Sequence, residues 1–204
     1  MLSYQTIESH TLELLRCLTD EPLLSELRLV GGTALALQYG HRNSVDLDFF
    51  GNLDEDEKAL RCCLERIGKV GVLKETKSIR IYDLDGIKID FVDYSRYPWL
   101  DGPIVEDGLR LASPRDIAAM KVNAIEGRGT RKDFIDVYYL LQHYSLAEIL
   151  DFYKEKYPEH SIFRALMSLS YFEDAEKQNM PEMFTADSWE KMKSFIIKQV
   201  EAIS

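Results

Sequence analysis

The chain has 204 residues, 46% apolar and 29% charged, enough to bury a substantial core as one large domain or two smaller units. A formal net charge of −10 argues against a protein that coats nucleic acid indiscriminately, although it leaves room for a locally basic groove. The longest apolar runs, such as residues 195–197, are far too short to span a bilayer, so no membrane association is expected.

Residues 1–13 carry Glu8 and Glu13 and no Lys or Arg, unlike a secretory signal. Residues 6–18 have a helical pattern, with Ile7, Thr11, Leu14, Leu15 and Leu18 on one side. Cys17, Cys62 and Cys63 are odd in number and lack metal-like spacing, which suits reduced thiols and a cytoplasmic location. Residues 27–30 read as a short strand running into Gly31-Gly32, and residues 33–39 as a short helix. Residues 45–50 alternate as Val, Asp, Leu, Asp, Phe, Phe, a strand pattern with two acids on one face. Asp54 with Glu57 resembles a capping box for a helix through Leu60, Leu64 and Ile67. Residues 79–84 and 87–94 are strand-like, and Asp85-Gly86 between them signals a hairpin turn.

The texture changes after Pro98 to Pro103, and from Ser113 onward nearly every segment is helical. Ser113-Pro114-Arg115-Asp116 supplies an N-cap, a proline at the first helical position and an acid at the third, for a helix to Gly127. Thr130, Ser145 with Glu148, and Ser188 cap three more, the last carrying Trp189, Met192, Ile196 and Ile203 at helical spacing. The expected fold is therefore α+β: residues 1–105 form a core with a mixed sheet, and residues 106–204 a helical bundle that completes the cleft.

The segment with chemical character runs from Gly31 to Asp48. A strand ending in two glycines at a helix start leaves backbone N–H groups exposed and lets phosphates approach closely, and Thr33 adds a hydroxyl. Alone, such a pair is better explained by a plain strand–turn–helix connection. Asp46 and Asp48, one residue apart on a strand, point the same way roughly 7 Å apart, close enough for one hard cation to bridge. They sit between apolar residues, unlike Asp54/Asp56 and Asp83/Asp85, which read as a helix start and a turn. Two-metal phosphoryl transfer wants a further carboxylate on a neighbouring strand. Period two along residues 87–94 puts Lys88, Asp90, Val92 and Tyr94 on one face and Ile87, Ile89, Phe91 and Asp93 on the other, so Asp90 is the candidate. Arg128, Arg131 and Lys132 cluster positive charge, with Lys121 one helix earlier. His10, His41, His143 and His160 are scattered and form no zinc pattern.

Gly-Gly-Thr-Ala-Leu from Gly31, then Arg42-x-Ser44-x-Asp46-Leu-Asp48-Phe-Phe, resembles the AbiEii-type nucleotidyltransferases, a toxin branch of the polymerase-beta-like superfamily. Asp116-Ile-Ala-Ala-Met-Lys121 and Arg131-Lys-Asp133-Phe-Ile-Asp136 are similar to the family's downstream motifs, and Tyr171-Phe-Glu-Asp-Ala175 follows. Four signals in order over residues 27–140 are more specific than any one of them. The resemblance implies a polymerase-beta-like nucleotidyltransferase core followed by helices, an NTP substrate, Mg²⁺ (or Mn²⁺), and a cognate antitoxin. It implies Asp46, Asp48 and Asp90 as catalytic metal ligands, with Gly31, Gly32, Thr33 and Lys121 near the triphosphate. Arg42 and Ser44 would support the phosphate site, or Arg42 would pair with Asp46, while Asp133 and Asp136 would orient Lys121 or Arg128. The acceptor stays open between a tRNA 3′ end, another RNA and a protein side chain, as does a non-catalytic nucleotide-binding module.

Overall fold

Apolar alternation in the first half of the chain lays down a sheet, and strong helix caps in the second half lay down helices. The computed structural model describes residues 1–53 and 56–203. Asp54 and the capping box expected there lie outside the described residues. Contacts divide the chain into two units, Met1–Pro98 with Gly102–Ala112, and Trp99–Asp101 with the chain from Ser113 onward.

The first unit holds seven strands among the described residues: β1 Arg28–Leu29, β2 Leu47–Gly51, β3 Val70–Glu75, β4 Ile79–Leu84, β5 Ile87–Asp93, β6 Ile104–Glu106 and β7 Leu109–Leu111. They form one mixed sheet in the order β3-β4-β5-β2-β1-β7-β6, parallel where β2 meets β5 and β1 meets β7. Three helices accompany it: α1 Ser9–Asp20, α2 Gly31–Tyr39 and α3 Glu57–Ile67. A 3-10 turn at Tyr4–Thr6 precedes α1, so the first helix starts later than its apolar pattern suggests. Two of the sheet's hairpins, β4–β5 and β6–β7, turn on Asp-Gly pairs with positive φ at both residues, Asp85-Gly86 (51° and 85°) and Asp107-Gly108 (51° and 82°). That conformation matches the strand twist and admits Asn, Asp and Gly most readily.

The β6–β7 hairpin belongs to the first unit. The expected boundary at residue 105 thus falls inside β6, whereas the helical unit begins at Ser113. The β2 and β5 registers follow the alternation. Leu47 and Phe49 are buried with Ile89 and Phe91, and the Phe49 and Phe91 rings stack 5.6 Å apart. Burying each such ring contributes roughly 1.5–3 kcal/mol, which holds the opposite face, with its carboxylates, in register.

The second unit contains α4 Pro114–Gly127, α5 Arg131–Leu140, α6 Leu146–Lys156, α7 Ile162–Leu169, α8 Glu173–Glu176 and α9 Trp189–Glu201. The Ser113 hydroxyl caps α4, Ser188 caps α9, and Thr130/Asp133 and Ser145/Glu148 close full capping boxes. Ile203, expected on the last helical stripe, lies beyond the end of α9 and is exposed. At the base of α4, Asp116 receives the Lys156 ammonium at 2.7 Å and the Leu100 N–H at 2.9 Å, and Lys156 also sits over the Trp99 ring. Both charged groups are fully buried. This pair ties Trp99–Asp101 to the helical unit. No described helix is long and apolar enough to cross a membrane.

Candidate active site

The β2–β5 pairing brings two of the candidate carboxylates together. Asp48 and Asp90 are directly paired positions on these parallel strands, on the face opposite the Phe49–Phe91 core, and both are half-buried. Asp46 precedes β2 instead of lying within it, yet the burial alternation extends back through it, leaving it half-exposed between Val45 and buried Leu47. Asp90 accepts a 2.5 Å bond from the Lys88 ammonium, two residues away on the same face. Asp93 turns instead to the strand end, where its Oδ1 accepts the Ser95 N–H at 3.0 Å and its pKa is lowered, chiefly by that hydrogen bond.

Each glycine of the pair has its own reason. Gly31 takes φ +68°, and a methyl group there would lie 2.5 Å from the Asp48 Oδ2. Glycine therefore keeps the approach to that carboxylate clear. A methyl group on Gly32 would lie 2.2 Å from Arg42 Nη2, and the Ser44 Oγ borders the same space. Arg42 and Ser44 are buried beneath the turn, and Arg42 Nη1 donates to the Asn43 carbonyl at 2.9 Å. Thr33, expected as a phosphate donor, is itself buried. Its hydroxyl bonds the Ser44 Oγ at 2.9 Å and donates to the Asp46 carbonyl. It fixes the segment that delivers Asp46, a positioning duty that the sequence does not reveal.

In the helical unit, α4 and α5 enclose Lys121. Its ammonium lies 2.9 Å from Asp133 and 2.6 Å from Asp136, with exposures of 7%, 1% and 0%. Asp133 also receives Thr130 and, at 3.2 Å, Arg128. Burial alone would raise the Asp133 pKa, but the charges of Lys121 and Arg128 and the bonds from Thr130 and Lys121 outweigh it and bring it to about 2. Arg131, placed by the sequence in a basic surface cluster, is only 11% exposed. Its guanidinium donates to the Ala175 and Glu176 carbonyls and stacks over Trp189, so it braces α8 and α9. Lys132 is exposed.

The donor set suits a hard divalent cation: carboxylate oxygens on adjacent strands, and a glycine leaving the space beside Asp48 open. Among the described residues no three His, Cys, Asp or Glu side chains already converge as a cage. The fit thus lies in the facing Asp48 and Asp90, with Asp46 one strand period away.

A mixed sheet in this strand order, flanked by helices, is an α+β fold shared with solved nucleotidyltransferase structures. The model of the AbiEii nucleotidyl transferase toxins, of type IV toxin–antitoxin systems, matches residues 13–202, and the chain belongs to that family of enzymes. It is 35% identical over 185 residues to the uncharacterized protein aq_aa25 of Aquifex aeolicus (strain VF5), covering 88% of each chain. Its fold is similar to a crystal structure from H. pylori assigned to the nucleotidyltransferases, with TM-score 0.51 and 22% identity over 97% of this chain and 99% of that one. A Megavirus polyadenylate synthase overlaps at TM-score 0.48 and 18% identity, over 65% of this chain and 31% of that one.

Proposed function

We propose that the enzyme moves a nucleoside monophosphate from an NTP to an acceptor hydroxyl, with Mg²⁺ or Mn²⁺ held by Asp46, Asp48 and Asp90, as the toxin partner of a cognate antitoxin. The observation that carries this reading is the facing of Asp48 and Asp90 across parallel strands, beside a glycine that keeps one of them open. A divalent cation bound there supplies charge neutralisation on the triphosphate. Asp90, paired with Lys88 in this structure, would accept the proton of the attacking hydroxyl. The backbone N–H groups at the start of α2 face charge developing on the pyrophosphate. Thr33, Ser44 and Arg42 hold the turn that presents them.

Within the helical unit, Asp133 and Asp136 hold and orient the Lys121 ammonium. Incubating the protein with each labelled NTP and either total tRNA or a partner lysate tests the whole proposal. Label on the RNA 3′ end supports an RNA acceptor. The −10 net charge favours a second reading in which a protein side chain is the acceptor, and label on a lysate protein would support that one. Label on neither, with NTP still bound, would reduce the chain to a nucleotide-binding module.

A further inference from the structure

The helical unit carries a cavity of about 390 Å³ lined by residues that nucleotide transfer, as described above, does not use, among them Ile125, Glu126, Arg128, Met167, Tyr171 and Asp174. Ile125 and Met167 give it apolar walls. The Tyr171 hydroxyl donates to Glu173 Oε2 at 2.6 Å, which tethers a largely exposed ring at the mouth. An aromatic face fixed in this way is a stacking platform, and every nucleobase has a π-face to offer it.

The rim carries charge of both signs, with its cations well exposed. Arg128, Arg164 and Lys177 are 67%, 72% and 69% exposed. Their acids are largely sunk below them: Arg164 lies 3.1 Å from Glu126, itself 11% exposed, and Arg128 3.2 Å from Asp133, 1% exposed. Asp174, 3.4 Å from Lys177, and Glu173, which holds the Tyr171 hydroxyl, are the acids that share the surface with them. The cavity thus sets an apolar wall of Ile125 and Met167 beside three exposed cations.

We infer that this cavity is a subsite for an unpaired nucleotide of a polynucleotide acceptor, its base stacked on Tyr171 against Met167 and its phosphates on Arg128, Arg164 and Lys177. The inference rests on the reading of an RNA acceptor and specifies its form. A slot of this volume, near the lower end of the roughly 300–1,000 Å³ of small-molecule sites, admits one nucleotide and no base pair. The acceptor therefore offers an unstacked end or loop.

The test measures binding of a short single-stranded RNA containing 2-aminopurine, and of a blunt duplex of the same sequence, at several salt concentrations. Tyr171→Leu should weaken the single strand by roughly tenfold, and Tyr171→Phe, which keeps the ring but loses its bond to Glu173, by less. Arg164→Gln with Lys177→Gln should flatten the logarithmic salt slope by about 0.7 for each phosphate no longer neutralised. The blunt duplex should bind wild type no better than the single strand binds Tyr171→Leu. Equal single-strand affinities for wild type and Tyr171→Leu would overturn the inference and leave the exposed ring to a protein partner. So would a duplex that binds as tightly as the single strand, or a wild type that binds no RNA. Asp48→Asn separates the two readings, since it should bind the RNA normally without transferring label. Tyr171-dependent RNA binding by a wild type that never transfers label would keep the subsite and remove the RNA-transfer reading.

Discussion

Gly31 and Gly32 look alike in the sequence and fail differently when substituted. Gly31→Ala forces a side chain into a left-handed backbone and against Asp48, so a stability loss of about 1–3 kcal/mol is expected, readable by urea denaturation. Gly32→Ala displaces buried Arg42 instead, and should lower NTP affinity more than metal affinity. Asp48→Asn should remove Mn²⁺ binding in a calorimetric titration with stability unchanged or raised, because it relieves like-charge repulsion with Asp90. Wild-type metal affinity in that variant would sink the site. Lys121 needs a more careful experiment than a simple truncation. Lys121→Ala leaves Asp133 and Asp136 buried without their shared cation, a loss of about 3–5 kcal/mol on the usual scale of a broken buried pair. Its NTP affinity is therefore informative only below its melting temperature, where a role at the triphosphate predicts a tenfold or larger weakening. Unchanged NTP affinity there would confine Lys121 to bracing α4 against α5. Asp133 also gives the acid limb a definite shape. Its folded pKa, about 2, lies below the ordinary 3.8, so its contribution is complete above pH 4 and is lost as pH falls from there through 2. About 2 kcal/mol is at stake. A stability-versus-pH curve for Asp133→Asn should be flatter than wild type over that interval.

Among the elements, β5 makes the sharpest statement. Asp90→Ala should abolish transfer, while Asp93→Ala, whose carboxylate only closes the strand end on Ser95, should keep most of it. A reversed ranking in a label-transfer assay would mean that the catalytic face is the other one. This face was legible because β2 and β5 alternate cleanly and because Asp85-Gly86 pins their neighbours. The helical caps were legible for the same local reason: Ser113, Thr130, Ser145 and Ser188 each bond a backbone N–H three residues on. The elements that escape the sequence lack such local signals or carry them faintly. β3 reads Val-Gly-Val-Leu-Lys-Glu, with a glycine and a register shift between Val72 and Lys74 that breaks its period. β6–β7 turns on Asp107-Gly108, the same signal as the β4–β5 hairpin, but each strand has only three residues. The roles of Thr33 and Arg131 were beyond local reading altogether. Thr33 bonds partners 11 and 13 residues away, and Arg131 reaches carbonyls 44 and 45 residues on. Charge and hydroxyl content announce what such groups can donate, and only the fold decides who receives it.

At the scale of the molecule, the two tryptophans fall in one unit. Trp99 is joined to the helical unit through the segment that Asp116 holds, and Trp189 opens α9. Each indole has cations over its ring: Lys156 at 4.6 Å from Trp99, Arg131 at 4.8 Å and Lys193 at 5.6 Å from Trp189. Tryptophan-selective emission is consequently a spectroscopic window on the helical unit alone, blind to the unit that carries Asp48 and Asp90, whereas far-UV dichroism registers both. Gly31→Ala should accordingly shift a dichroism transition and leave the emission midpoint where it was, and Asp133→Asn should move the emission. Emission and dichroism shifting together in both variants would show a single cooperative block. If they part, fluorescence followed during NTP or RNA titration becomes a reporter of the helical unit's own ligand, separable in one cuvette from whatever the carboxylates bind.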